Sequence, residues 1–362
     1  MGDLQMFESF SVKSSVSGSY TVNFVENIDN CLLEIASKGD AFFIVDNNVE
    51  LLYELSKKEQ INRDKIIPVI SSEQNKTIEY IQEVLRDLIS KGIRKDSVLI
   101  AIGGGITQDI VAFISTILYR GVEWKFIPTT LLAQGDSCIG SKSSINFDLY
   151  KNLLGTFNPP SAIYIYMEFL DSLSDSEIKS GIGEMLHYFL TEGIELAQSI
   201  SDNYENLLRN RSGLSYYVNN SLRIKKEIIE VDEFDKSIRH IFNYGHTFGH
   251  AIEAITNYSI PHGQAITIGM DLANYISLHL DMLTIDKFNK MHNILQKNIP
   301  AFKIDASNIE LYCSALSRDK KNKGNLLGCI LTRGAGKVEK VFLEIDDILR
   351  ELIIQYFIKY AH

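Results

Sequence analysis

The stretch Asn243-Tyr244-Gly245-His246-Thr247-Phe248-Gly249-His250 sets two histidines four residues apart. On a helix that spacing projects both imidazoles from one face. A third histidine follows in Pro261-His262-Gly263, and upstream Gly183-Glu184-Met185-Leu186-His187 places a carboxylate one turn before a fourth. Imidazole and carboxylate are ordinary Zn2+ ligands, and an open catalytic zinc site uses three of them. Any one histidine is more often a satisfied core or surface residue. Here four of the chain's eight gather around one carboxylate, and the set points to a metal. Spacing alone reads His246 and His250 as joint ligands.

A second chemical signal is Gly103-Gly104-Gly105, which ends the apolar run 97–102 and leads into a helical pattern. Glycine tolerates close backbone approach, and the N–H groups opening the following helix can hold a phosphate. This is not the GxGxxG fingerprint. However, Asp46 and Asn48 stand at the end of the first apolar strand, where a doubly wound sheet binds its ligand and a carboxylate can hold ribose hydroxyls. Together these residues point to a dinucleotide. Basic groups recur near small polar residues: Asp136-Ser137-Cys138-Ile139-Gly140-Ser141-Lys142, then Lys151-Asn152. Lys225, Lys226 and Arg239 flank the histidine run, and Lys320 and Lys321 follow Asp319. In a chain of formal net charge −10, such clustering fits a phosphate or carboxylate to be neutralised. The same acidic balance argues against a nucleic-acid partner.

These groups need elements to position them. Apolar runs at 41–45, 65–70 and 97–102 read as strands, separated by amphipathic helices at 49–58 and 77–91, with another at 106–118. Strands alternating with helices imply an α/β fold with a parallel sheet and right-handed crossovers. Beyond residue 165 the pattern turns helical, at 174–200, 214–230, 246–256 and 262–280. The expected division is 1–168 for the nucleotide-binding domain and 169–362 for a helical metal- and substrate-binding domain, with a ligand cleft between them. Cys31, Cys138, Cys313 and Cys329 form no CxxC pair and read as reduced thiols. No basic-then-apolar leader opens the chain and no apolar run reaches a membrane span, so a cytoplasmic protein with no membrane or nucleic-acid partner is expected.

Over about residues 40 to 330 the succession of motifs resembles the 3-dehydroquinate synthase family of sugar-phosphate cyclases. It runs Gly103-Gly104-Gly105 to Asp109, Tyr119-Arg120-Gly121-Val122, Pro128-Thr129-Thr130-Leu131-Leu132-Ala133-Gln134, Asp136 to Lys142 and Lys151-Asn152. It continues with Gly183-Glu184, then Arg239 to Glu253, and His262-Gly263. The resemblance implies a Rossmann-like N-terminal domain and a mainly α-helical metal-binding C-terminal domain. It also implies bound NAD+, one Zn2+ (or Co2+) and a homodimer. Glu184, His246 and His262 would then hold the metal, while His250 would face a phosphate with Lys142, Asn152 and Asn243. Arg239 and Lys225 would hold a carboxylate, Asp136 would meet hydroxyls, and Arg120 would reach the phosphate across the dimer. Lys320 and Lys321 complete the expected substrate contacts. Asp46, Asn48, Glu73, Lys76, Gly103, Gly104, Gly105, Asp109, Thr129, Thr130, Lys151 and Phe169 would line the NAD site.

The implied reaction converts 3-deoxy-D-arabino-heptulosonate 7-phosphate into 3-dehydroquinate and phosphate, by transient oxidation, β-elimination, reduction and intramolecular aldol closure. Three positions depart from the family pattern. Gln108 stands where a glycine is usual, and Gly140-Ser141-Lys142-Ser143 replaces Gly-Gly-Lys-Thr. His187 occupies a lysine position one turn after Glu184. The alternatives are a cyclase for sedoheptulose 7-phosphate or glucose 6-phosphate, a metal-dependent alcohol dehydrogenase, or a non-catalytic relative. The last would be expected to have lost a metal ligand.

Overall fold

A computed structural model describes residues 7–59, 61–148, 150–304, 306–317, 322–324 and 326–360. Two compact units emerge, Met1–Leu173 with Lys225–Phe234, and Ser174–Ile224 with Asp235–His362. A single crossing at 168/169 was expected. The stretch Lys225–Phe234 joins the first unit because its side chains are tied there. Glu233 accepts from Ser14 Oγ at 2.7 Å and from Ser15 N at 2.6 Å, and Lys225 pairs with Asp136.

The first unit is built on a seven-stranded sheet. Its strands are β1 (Phe10–Ser14), β2 (Gly18–Phe24), β3 (Ala41–Asp46), β4 (Ile66–Val69), β5 (Val98–Gly103), β6 (Glu123–Pro128) and β9 (Ala162–Ile165), ordered β1-β2-β9-β6-β5-β3-β4. All neighbours pair in parallel except the edge strand β1. Helices α1 (Ile28–Ser37), α2 (Asn47–Tyr53), α3 (Ile78–Ser90) and α4 (Gly105–Ile117) fall between its strands. Continuous apolar runs such as Ala41-Phe42-Phe43-Ile44-Val45 are buried throughout, as strands covered on both faces require. From β3 the chain moves outward to β4, then returns to β5 on the other side of β3. The strand order therefore reverses between β3 and β5, and a doubly wound sheet binds its ligand at such a point. Asp46 and Gly103 are the last residues of those two strands. A separate hairpin, β7 (Lys142–Phe147) and β8 (Tyr150–Phe157), carries the Lys142 and Asn152 segment.

The second unit is mainly helical: α5 (Asp175–Glu192), α6 (Glu195–Asp202), α7 (Tyr204–Arg209), the first part of α8 (Leu214–Val231), α9 (His246–Ile255), α10 (His262–His279), α11 (Ile285–Leu295), α12 (Ala306–Ser317) and α13 (Asp347–Tyr360). It also contains an antiparallel hairpin, β10 (Leu326–Thr332) and β11 (Val338–Glu344). Ser174 and Glu177 close a capping box at the start of α5, and nearly every residue from Ile178 to Thr191 is buried. The helix read over 174–200 is in fact two, because the chain turns extended at Gly193. Helix 49–58 likewise ends at Glu54, which adopts the left-handed conformation. The four cysteines are buried and free, and among the described residues no helix is long and apolar enough to cross a membrane.

Candidate functional site

Helices α5, α9 and α10 approach so closely that side chains would collide at their crossings. A Cβ on Gly183 would lie 2.0 Å from the Gly263 carbonyl oxygen, and one on Gly263 would lie 1.8 Å from that of Ser180. Gly269 and Gly245 meet in the same way, at 2.1 Å. Gly245 also needs its positive φ of 81° to turn the chain into α9. Each expected metal ligand follows one of these glycines or precedes one: Gly183-Glu184, Gly245-His246, His262-Gly263. The backbone packing thus brings the three side chains together.

Their ligand atoms all lie within 4.8 Å of one another. Glu184 Oε1 faces His262 Nε2 at 2.8 Å and His246 Nε2 at 3.7 Å. Yet this buried oxygen has no aligned hydrogen-bond donor. Leaving a carboxylate oxygen so placed costs free energy, whereas a cation shared with the two nitrogens satisfies it. Ligands bonded at 2.0–2.2 Å around a tetrahedral Zn2+ stand roughly 3.3–3.6 Å apart, a range bracketed by the two distances from Glu184 Oε1. The donor set therefore fits a divalent cation. Burial pushes the Glu184 carboxyl up, but His246, His187 and His262 outweigh it and hold the group well below its ordinary value. Burial likewise keeps His246 well below the usual imidazole range. His262 is raised, because Glu184 and Glu253 overcome its burial.

The spacing-based pairing of His246 with His250 is not what the packing produces. His250 falls in a second trio with Glu253 and His262. His187 is buried one turn beyond Glu184, its Nδ1 2.7 Å from the Glu184 carbonyl and 3.2 Å from Oε2. Among the described residues its Nε2 has no hydrogen-bond partner. Asn243 donates from its side chain to the His240 carbonyl, and Arg239 lies half-buried on the same short turn, Ile238–Asn243.

In the first unit the expected cofactor residues gather mostly at the C-terminal ends of the strands. Asp46 caps α2 by accepting from Asn48 N at 2.8 Å. Gly103 ends β5, Gly104 caps α4 and Gly105 opens it. A Cβ at Gly103 would stand 2.3 Å from Thr107 Oγ1, so only glycine fits there. Thr129 and Thr130 follow β6, with Thr129 N donating to the Gly103 carbonyl. Lys76 pairs with Asp109 at 2.6 Å, and Asp109 also accepts from Ser144 N and Oγ. Glu73 accepts from Asn146 at 2.9 Å and lies 3.8 Å from Lys151 Nζ. Phe169 behaves differently: its ring is 1% exposed and closed into the apolar cluster with Tyr53 and Tyr166.

Of the expected substrate contacts, Lys225 Nζ donates to both the carbonyl and Oδ1 of Asp136, each at 2.8 Å. Asp136 sits in a single π-turn, Ala133–Ser137, a distortion frequent at functional sites. Lys142 and Asn152 are exposed on the β7–β8 hairpin, where Ser144 Oγ donates to Asn152 Oδ1. Arg120 is exposed on the turn after α4. Lys320 and Lys321 lie outside the described residues. Sequence reasoning assigned no role to Glu253, Ser137 or Ser144. Glu253 lies seven residues from His246, on the same helix face, which could have singled it out.

Residues 66–180 match the model of the 3-dehydroquinate synthase N-terminal region, and residues 181–322 that of its C-terminal region. The 3-dehydroquinate synthase of Clostridium tetani is 34% identical over 324 residues, 88% of this chain and 86% of its own. Two solved structures share the fold. One is a 2-deoxy-scyllo-inosose synthase complexed with carbaglucose-6-phosphate, NAD+ and Co2+, with TM-score 0.82, 23% identity, and coverage of 95% of this chain and 100% of that one. The other is the 2-epi-5-epi-valiolone synthase of Streptomyces hygroscopicus subsp. jinggangensis with NAD+ and Zn2+ bound, with TM-score 0.81, 23% identity, and coverage of 97% and 99%. At that identity the two structures speak for the fold alone. The family models span most of the chain and the curated relative exceeds 30% identity across it, so the chain belongs to the 3-dehydroquinate synthase family.

Proposed function

We propose that this chain is a 3-dehydroquinate synthase, converting 3-deoxy-D-arabino-heptulosonate 7-phosphate into 3-dehydroquinate and phosphate as an NAD- and metal-dependent carbon–oxygen lyase. The observation that carries the reading is the buried Glu184 Oε1, without an aligned donor and faced by two imidazole nitrogens. When bound, NAD+ would take up and return a hydride, and the cation would stabilise negative charge on substrate oxygens. Glu184, His246 and His262 are the residues that would hold the cation. Asp46, Gly104 and Gly105 would receive the dinucleotide, a reading supported by their position where the strand order reverses.

The remaining polar groups support an anionic substrate. Lys142, Asn152, Asn243 and His250 are the phosphate contacts in this reading, and His187 would accept from a substrate hydroxyl through its unpartnered Nε2. A cyclase acting on a substrate without a carboxylate has less need of Lys225 and Arg239. This chain has both, and Lys225 is fixed by two bonds to Asp136. Their presence supports a carboxylated sugar phosphate. A cytoplasmic homodimer, with exposed Arg120 serving the partner subunit, belongs to the same proposal.

The test is a panel of sugar phosphates incubated with NAD+ and Zn2+, following phosphate release and NADH absorbance and identifying products by NMR. Turnover of the heptulosonate phosphate, with phosphate released and no net NADH, is expected. Preference for sedoheptulose 7-phosphate or glucose 6-phosphate would move the chain to another cyclase, and accumulating NADH without phosphate would make it a dehydrogenase.

A further inference from the structure

We propose that Glu253 is a positioning residue of the metal centre, holding the His262 ring so that Nε2 faces the cation. The inference rests on the metal reading above and adds a residue to it. An imidazole that donates a proton from one ring nitrogen presents a lone pair at the other. His262 Nδ1 stands 3.1 Å from Glu253 Oε1, while its Nε2 stands 2.8 Å from Glu184 Oε1. The Glu253 side chain is 13% exposed, and among the described residues its carboxylate bonds only to His262. His246 shows the same division of labour, with Nδ1 3.3 Å from the Tyr244 carbonyl and Nε2 turned to Glu184. Oxygen acceptors behind ligating histidines fix the tautomer and raise the basicity of the ligand atom.

The rival assignment makes Glu253 a direct ligand of a second cation, with His250 and His262. That cation would need His262 Nδ1, the nitrogen already bonded to Glu253. The two trios compete for one ring, and the buried Glu184 oxygen decides for the first.

The test uses the full chain loaded with Zn2+, and separately with Co2+. Transfer of Zn2+ to a chromogenic chelator should be about 10–100-fold faster from Glu253→Ala and Glu253→Leu than from the wild type. Glu253→Leu fills the space without an acceptor. Glu253→Gln keeps an acceptor and should restore slower release. The Co2+ form should bind one equivalent, and its ligand-field bands should stay in place in all three variants because the donor set is unchanged. Release from Glu253→Leu at the wild-type rate, or from Glu253→Gln as fast as from Glu253→Leu, would overturn the proposal. So would two equivalents of Co2+ in the wild type with one lost in Glu253→Leu. Glu184→Gln and His246→Ala are the controls. If they retain metal as the wild type does, the metal reading itself fails. If they lose it while Glu253→Leu does not, only the role of Glu253 fails.

Discussion

Gln108 shows how a single departure from a family pattern is absorbed. The position usually carries glycine, yet here the side chain is buried and clasps Ser137 twice. Its Nε2 donates to the Ser137 carbonyl at 2.6 Å, and Ser137 Oγ donates to its Oε1 at 2.7 Å. Ser137 closes the π-turn that carries Asp136, so the amide braces the residue that holds Lys225. Gln108→Leu would leave a carbonyl and a hydroxyl without those partners. We expect a loss of about 1–3 kcal/mol in urea unfolding, and a midpoint equal to the wild type would show that the clasp does no such bracing. That a carboxylate and several histidines could serve a cation was legible from the chain, because histidine and glutamate in such a succession are rare. Which histidines come within reach of Glu184 was not legible from spacing. His246 and His250 do lie on one helix face, but His262 and Glu184 arrive from two other helices, and nothing in a local period encodes that. The helix period could have set Glu253 on the face of His246, but not shown its partner His262, nine residues away on another helix.

At the scale of elements, the convergence depends on glycines rather than on the ligands themselves. Gly183→Ala would put a methyl group 2.0 Å from the Gly263 carbonyl and 2.8 Å from Thr267 Oγ1, so α5 and α10 must separate. Overpacking of this kind costs about 1–3 kcal/mol, and it moves the backbone on which Glu184 and His262 stand. The variant should melt lower and retain less Zn2+ by elemental analysis. Gly39→Ala, where a Cβ meets nothing within 4 Å, is the control and should match the wild type in both. Wild-type metal content in Gly183→Ala would mean that the ligands converge without the close crossing. Sequence periodicity located β3, β4, β5 and the helices between them because long apolar runs and amphipathic spacing are local signals. It did not locate β1 and β2, whose alternating exposed and buried residues include serine, lysine and threonine. The hairpin β10–β11 was missed as well, in a half of the chain whose pattern is otherwise helical.

For the whole molecule, the formal charge of −10 opposes an anionic substrate, and attraction must come from local groups such as Lys142 and Lys151. The two compact units also divide the expected ligands between them. All three proposed metal ligands belong to the second unit, while the glycine turn and Asp46 belong to the first. A ligand that binds only the native form stabilises it by RT ln(1 + [L]/Kd), about 2.7 kcal/mol at a hundredfold excess over Kd. Local unfolding samples the structure unevenly, so this gain should appear first in the elements that hold the ligand. Hydrogen exchange of the loaded protein therefore distinguishes the two sites. Stripping the metal with a chelator should raise exchange in α5, α9 and α10 and leave β3, β5 and α4 unchanged. Adding NAD+ should slow exchange at the end of β3, through Gly103–Gly105 and into α4. Protection by NAD+ confined to the second unit would remove the glycine turn from the cofactor site, whereas metal-dependent protection confined to the first would remove the Glu184 trio from the metal.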